Sequence, residues 1–169
     1  MTPEELRALQ APLKARYRAD PSAALVTLRA EGELGEGLAC RVETAGGPIE
    51  AGLHPATGGS GLQACSGDML LQALAACAGV TLKAVATALG VPVRAGRVRV
   101  EGDLDFRGTL GVAREAPVGF RAIRLAFELD TDAAPEELER LLALTERYCV
   151  VLQTLRTPVP TEARIRRAD

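Results

Sequence analysis

Aromatic residues make up only 3% of the 169-residue chain, and tryptophan is absent. A core of Ala, Leu and Val packs helices and sheets closely, and it offers no aromatic platform for stacking single-stranded nucleic acid. Charge of one sign is also missing. The formal net charge is −2, so no basic surplus exists to track a phosphate backbone. The one basic cluster, "EARIRRAD" at Glu162–Asp169, is interrupted by acids and reads as the solvated face of a strand. The sequence has a single histidine, His54, in "LHPATGG", and no C-x-x-C pair. Zinc sites show paired ligands at short spacing, so no metal is expected and His54 reads as a turn or strand-end residue. "ATGGSG" lacks the lysine and spacing of a phosphate-binding loop. Asparagine is absent and the basic residues are nearly all Arg, which fits a thermophilic source and a GC-rich genome equally well.

The start, "MTPEELRALQ", carries acids and no apolar h-region, so it does not read as a secretory signal. The longest apolar run, Leu70 to Leu89, is Ala-rich and holds Gln72, Thr81, Lys83 and Thr87. It reads as a core helix rather than a membrane span. A cytoplasmic location is expected, with no nucleic-acid or membrane partner. Four cysteines in such a chain imply reduced thiols, available for catalysis or redox sensing.

Hydrophobic content is 47%, enough for one packed domain. Thr2-Pro3-Glu4-Glu5 is a capping box with Pro at the first helical position, predicting an N-terminal helix within residues 1–20. Leu6, Leu9, Leu13 and Tyr17 share a stripe, so one face is expected to be buried. Residues 23–55 read as three strands of an antiparallel meander, the first over Ala24–Gly32. A central helix is expected over 66–90, capped at Ser66 or Asp68 and ended by Gly90. A β-hairpin is expected over 94–130, a second helix over 135–156 and a last strand over 161–168. Segregated antiparallel elements define an α+β class. The central helix is apolar nearly all round and should be buried on all sides. One domain of this size offers little surface for that, so a second copy is expected to supply it.

Within "SGDMLLQALAACAGVTLKA", Cys77 is either a core filler or a working thiol. Burial alone raises a thiol's pKa and keeps it inert, so a reactive Cys77 needs a cation or strong donor nearby. Pairing with Cys65 is excluded inside one helix, because twelve residues rise ~18 Å and a disulfide needs Cα atoms within roughly 7 Å. Asp68 is nine residues away, ~14 Å along the axis and half a turn around it; it reads equally as a helix N-terminal charge. Cys149, in "TERYCVVLQTL", is far in sequence and nothing forbids its proximity to Cys77. Cys40 reads as a structural strand residue.

"SGDMLLQALAACAGVTLKAVA", followed about seventy residues later by "TERYCVVLQTL", resembles the OsmC/Ohr family of osmotically inducible and organic-hydroperoxide-resistance proteins. The resemblance spans about Val26 to Ile165. It implies an OsmC-like fold, with antiparallel sheets around a long buried central helix in an intertwined homodimer. It also implies a cysteine-based peroxidase that reduces small organic hydroperoxides in oxidative-stress defence. Cys77 would match the peroxidatic thiol and Cys149 the resolving one, closing a disulfide that an external dithiol or lipoyl-type reductant reopens, with no bound cofactor. Asp68 matches a position where the family usually has Glu. Val150 follows Cys149 where the family often has Pro. Ohr-type members stabilise the thiolate with an Arg from an early loop. "RAEGELGEG" has none inside the loop; Arg29 and Arg41 flank it on the strands, and Arg29 is the preferred candidate here. These departures suit a divergent OsmC-like branch, and the alternative is a non-catalytic OsmC-like dimer that binds a small apolar molecule.

Overall fold

The computed structural model describes residues 1–167. The first helix, α1, covers Pro3–Ala19. Its capping box forms as the sequence predicts, with the Glu5 N–H donating to Thr2 Oγ1 (3.1 Å) and the Thr2 N–H to Glu5 Oε2 (2.8 Å). The apolar stripe behaves differently. No residue of α1 is buried, and Leu9, Leu13 and Tyr17 stay largely exposed.

Asp20 caps a 3₁₀ turn at Pro21–Ala24 through the Ser22 N–H (3.0 Å). Residues 26–30 then run unpaired, and the first strand, β1, is Gly32–Leu34 rather than Ala24–Gly32. Strand geometry needs a partner for its N–H and C=O groups, and β2 (Cys40–Val42) reaches only as far as Gly32. β3 (Ile49–Ala51) completes the antiparallel meander, in the order β1-β2-β3.

Helix α2 covers Ser66–Leu89 and ends at Gly90, whose φ of 73° is the left-handed conformation that glycine adopts freely. It is long and apolar enough to cross a bilayer by length and composition. In this fold it packs on the hairpin and on the two C-terminal helices. Its buried residues, Leu74, Ala78, Leu82 and Ala86, recur every four positions and form one stripe. Burial on all sides is not achieved by the chain alone: Val80, on the far side, is 73% exposed.

The hairpin pairs β4 (Ala95–Leu104) with β5 (Phe120–Asp130), in register from Ala95↔Asp130 to Asp103↔Ala122, with a one-residue shift before Leu104↔Phe120. A four-residue helix, α3 (Phe106–Thr109), sits in its connection. Alternation sends Val98, Val100, Ile123, Leu125 and Phe127 toward α2. On the other face Arg124 bonds Asp103 (2.8 Å) and Arg99 pairs with Glu128 (3.3 Å), exposed contacts of small energetic weight.

The expected helix over 135–156 is two helices. α4 covers Pro135–Tyr148 and α5 covers Val150–Arg156, with Cys149 between them at φ −72°, ψ 105°. The expected strand over 161–168 pairs with nothing across 161–167, where no partner edge lies alongside; residue 168 is outside the described residues. The core has two parts: Leu74, Ala78, Cys149 and Leu152 near the middle of α2, and Leu82, Ala86, Val91 and Leu141 toward its end.

Candidate functional site

Cys77 and Cys149 meet inside the first of these core clusters. Cys77 lies one position before Ala78, so it sits at the margin of the buried stripe of α2 and is half-buried. Cys149 is fully buried at the α4–α5 interruption. Both are free thiols. Val98 and Val100 of β4, Ile123, Leu125 and Phe127 of β5, and Val151 of α5 pack against the same cluster.

The interruption supplies donors that a continuous helix would have used up. The Cys149 N–H still bonds Thr145 O, and the pattern resumes with Gln153 N–H to Cys149 O, each at 2.9 Å. Between them, the N–H groups of Val150, Val151 and Leu152 make no main-chain bond. Left unspent, they can favour negative charge on the neighbouring sulfurs. Burial pushes the Cys77 thiol up, but the Val151 amide, the Cys149 thiol, the Val150 amide and the Thr81 hydroxyl outweigh it, holding Cys77 below the ordinary thiol range. Burial pushes Cys149 up as well. There the Leu152 and Val151 amides fall short, because proximity to Cys77 adds to the rise, and Cys149 is held above that range. The physical logic is that of any anion: amide and hydroxyl donors favour the charged form, and desolvation or a neighbouring negative charge opposes it.

The other expected site residues lie elsewhere. Asp68 is exposed near the start of α2 and lines a cleft of about 360 Å³ with His54, Cys65, Asp103, Phe106 and Phe120, away from the thiol pair. Arg29 is exposed on the unpaired stretch before β1. No arginine among the described residues contributes to the lowering of Cys77. His54 Nδ1 accepts the Ala56 N–H (3.0 Å) and its ring stacks on Phe106 at 4.8 Å, so it caps a turn. Neither Ser66 nor Asp68 caps α2 as expected: both lie inside its first turn, and Cys65 is the cap residue, without a capping bond; Cys40 lies in β2. No group of His, Cys, Asp or Glu suited to a metal ion occurs among the described residues.

Three contributors to Cys77 were not expected from the sequence. Thr81 is four residues on, one helical turn, and was legible from spacing. The Val150 and Val151 amides were not, because neither Gly nor Pro marks the interruption. Beside the pair, a cleft of about 340 Å³ shares Ile123, Leu125 and Leu152 with the thiol shell and carries Arg121, Glu146 and Arg156.

The sequence profile described as "OsmC-like protein" matches residues 59–164, from the loop before α2 to past α5. Solved structures share the fold. An OsmC-like protein from Mycoplasma pneumoniae superposes with a TM-score of 0.65 at 20% identity, covering 79% of this chain and 89% of its own. An organic hydroperoxide resistance protein OsmC from Legionella pneumophila gives 0.61 at 21% identity, covering 78% and 90%. An organic hydroperoxide resistance protein from Elizabethkingia anophelis gives 0.62 at 17% identity, covering 79% and 91%. No curated protein sequence matches significantly. The profile takes in both cysteine-bearing segments and most of the fold that joins them, and on that ground the chain belongs to the OsmC-like family.

Proposed function

We propose that the chain is a thiol-dependent peroxidase acting on small organic hydroperoxides, with Cys77 as the attacking thiol and Cys149 as the resolving one. The observation that carries this reading is the juxtaposition of a thiol held below its ordinary range with one held above it. Cys77 as thiolate attacks the O–O bond; the distal oxygen stays on sulfur as a sulfenic acid and the alcohol leaves with a proton. Cys149, still protonated, supplies the second sulfur. A Cys77–Cys149 disulfide forms and water leaves. An external dithiol, by exchange, returns both thiols and takes up the oxidation. The apolar wall of Ile123, Leu125 and Leu152 favours an apolar peroxide over hydrogen peroxide. Two similar structures, both of organic hydroperoxide resistance proteins, agree with this reading.

The working form is proposed to be a homodimer in a reducing, cytoplasmic setting. The uncovered Val80 side of α2, the exposed Leu9 and Leu13 of α1 and the unpaired residues 26–30 are the surfaces a second copy would cover. A partner copy would also be the route by which Asp68 or Arg29 reaches a thiol.

The test treats purified protein with one equivalent of cumene hydroperoxide and follows intact mass. Wild type should lose ~2 Da as the disulfide forms. Cys149→Ser should trap oxidised Cys77. If Cys77→Ser consumes peroxide as fast as wild type, the mechanism is wrong. An inert wild type would leave the binding dimer as the reading.

A further inference from the structure

What holds the interruption at Cys149 open is not evident from its own residues. Val150 has a free N–H, and nothing at 149–150 prevents a continuous helix. In such a helix the N–H groups of Val150, Val151 and Leu152 would return to the carbonyls of Glu146, Arg147 and Tyr148. The freed Glu146 carbonyl is bonded from the other side of the break: Gln153 Nε2 donates to it at 2.7 Å. Arg156, from the end of α5, donates to the Glu146 carboxylate at 2.9 and 3.2 Å. Glu146 is thus gripped at main chain and side chain by two residues of α5.

These contacts exist only in the interrupted form. In a straight helix Gln153 would stand ~10 Å along the axis from Glu146, and Arg156 ~15 Å. Neither bond spans that distance. The contacts therefore favour the broken arrangement over the continuous one, which is the condition for a local element to set an equilibrium. The groups that face Cys77 are the Cys149 thiol from the interruption and Thr81 from its own helix, with apolar side chains from β4 and β5 closing the cluster.

We propose that Glu146, Gln153 and Arg156 form a clamp that keeps the α4–α5 interruption open, and are positioning residues for Cys77 that act through the Val150 and Val151 amides. This rests on Cys77 being the working thiol, but its test needs no peroxide. The alkylation rate of Cys77 by iodoacetamide is followed against pH by peptide mass spectrometry. Wild type, Gln153→Ala, Arg156→Ala and Arg156→Lys are compared, with circular dichroism and melting as controls. The two alanine variants should move the Cys77 inflection to higher pH and slow its alkylation about threefold at a pH below both inflections. Arg156→Lys should recover most of the wild-type rate, and Cys40 and Cys65 should be unaffected. A lower melting temperature with an unmoved Cys77 inflection in both alanine variants would reduce the clamp to a structural role and overturn the proposal. Arg156 is half exposed, so its variant decides the matter if Gln153→Ala does not fold. A protein inert to peroxide with the shifts as expected would sink the peroxidase reading and leave the clamp standing.

Discussion

Replacing Val150 by proline isolates one donor to Cys77 without disturbing the fold. Proline is accepted at the first position of a helix, and Val150 begins α5. The preceding residue must be extended, and Cys149 already is, at φ −72° and ψ 105°. The Val150 side chain is 70% exposed, so little packing is lost. Its N–H makes no main-chain bond and favours the Cys77 thiolate. A hydrogen bond to a charged group contributes ~1.5–3 kcal/mol, and Cys77 is partly open to solvent, so the lower end applies. Losing it should move the Cys77 inflection to higher pH, and at a pH below both inflections ~1.5 kcal/mol is about a tenfold loss of thiolate. Intrinsic nucleophilicity rises with pKa with a Brønsted slope of ~0.4–0.5, recovering about threefold. Alkylation of Cys77 should therefore slow about threefold at a pH below both inflections, and outrun wild type at a pH above both. Circular dichroism should remain native. A native Val150→Pro variant with an unmoved inflection would refute the amide-donor account, and a variant unable to fold would refute the geometry of the break.

The two thiols should also titrate in order. Cys77 should reach half-maximal alkylation at lower pH than Cys149 once the latter is exposed to reagent by slow opening, and the reverse order would contradict the site's electrostatics. The sign carries into stability. The fold holds the Cys77 thiolate better than the unfolded chain does, so that contribution is present above the ordinary thiol range and is lost as pH falls through the folded value. Cys149, raised, contributes below the ordinary range and loses it as pH rises through its own. In the second core cluster, Leu141 is 1% exposed. Leu141→Ala should cost ~2–5 kcal/mol in denaturant unfolding while leaving the Cys77 inflection in place; a loss under 1 kcal/mol would show that this end of α2 is not a packed core.

Much of the architecture was written in local patterns. The capping box of α1, the limits of α2 from Ser66 to the left-handed Gly90, the alternation of β4 and β5, and the α+β class follow from period, caps and turn residues. Those signals act within a few residues, so a linear reading captures them. The elements that differed depend on partners. The strand expected over Ala24–Gly32 and the one over 161–168 carry the right alternation, but alternation says only that a segment suits a sheet edge, not that an edge is present. The all-round apolar character of α2 is likewise a property of sequence, whereas which of its faces finds cover depends on what packs there.

The site divides along the same line. The amino-acid sequence by itself determined the two cysteines worth watching, the apolar surroundings of Cys77 and, through its resemblance, the family to which the chain belongs. It also posed the question of which positive charge reaches Cys77. The tertiary structure answered with partial charges: main-chain amides released at an unmarked helix break, and one hydroxyl. No residue type encodes a free amide, since every non-proline residue carries the same N–H. Whether that group is spent within a helix or aimed at a sulfur is decided by long-range packing, and by the grip of Gln153 and Arg156 on Glu146 across the break.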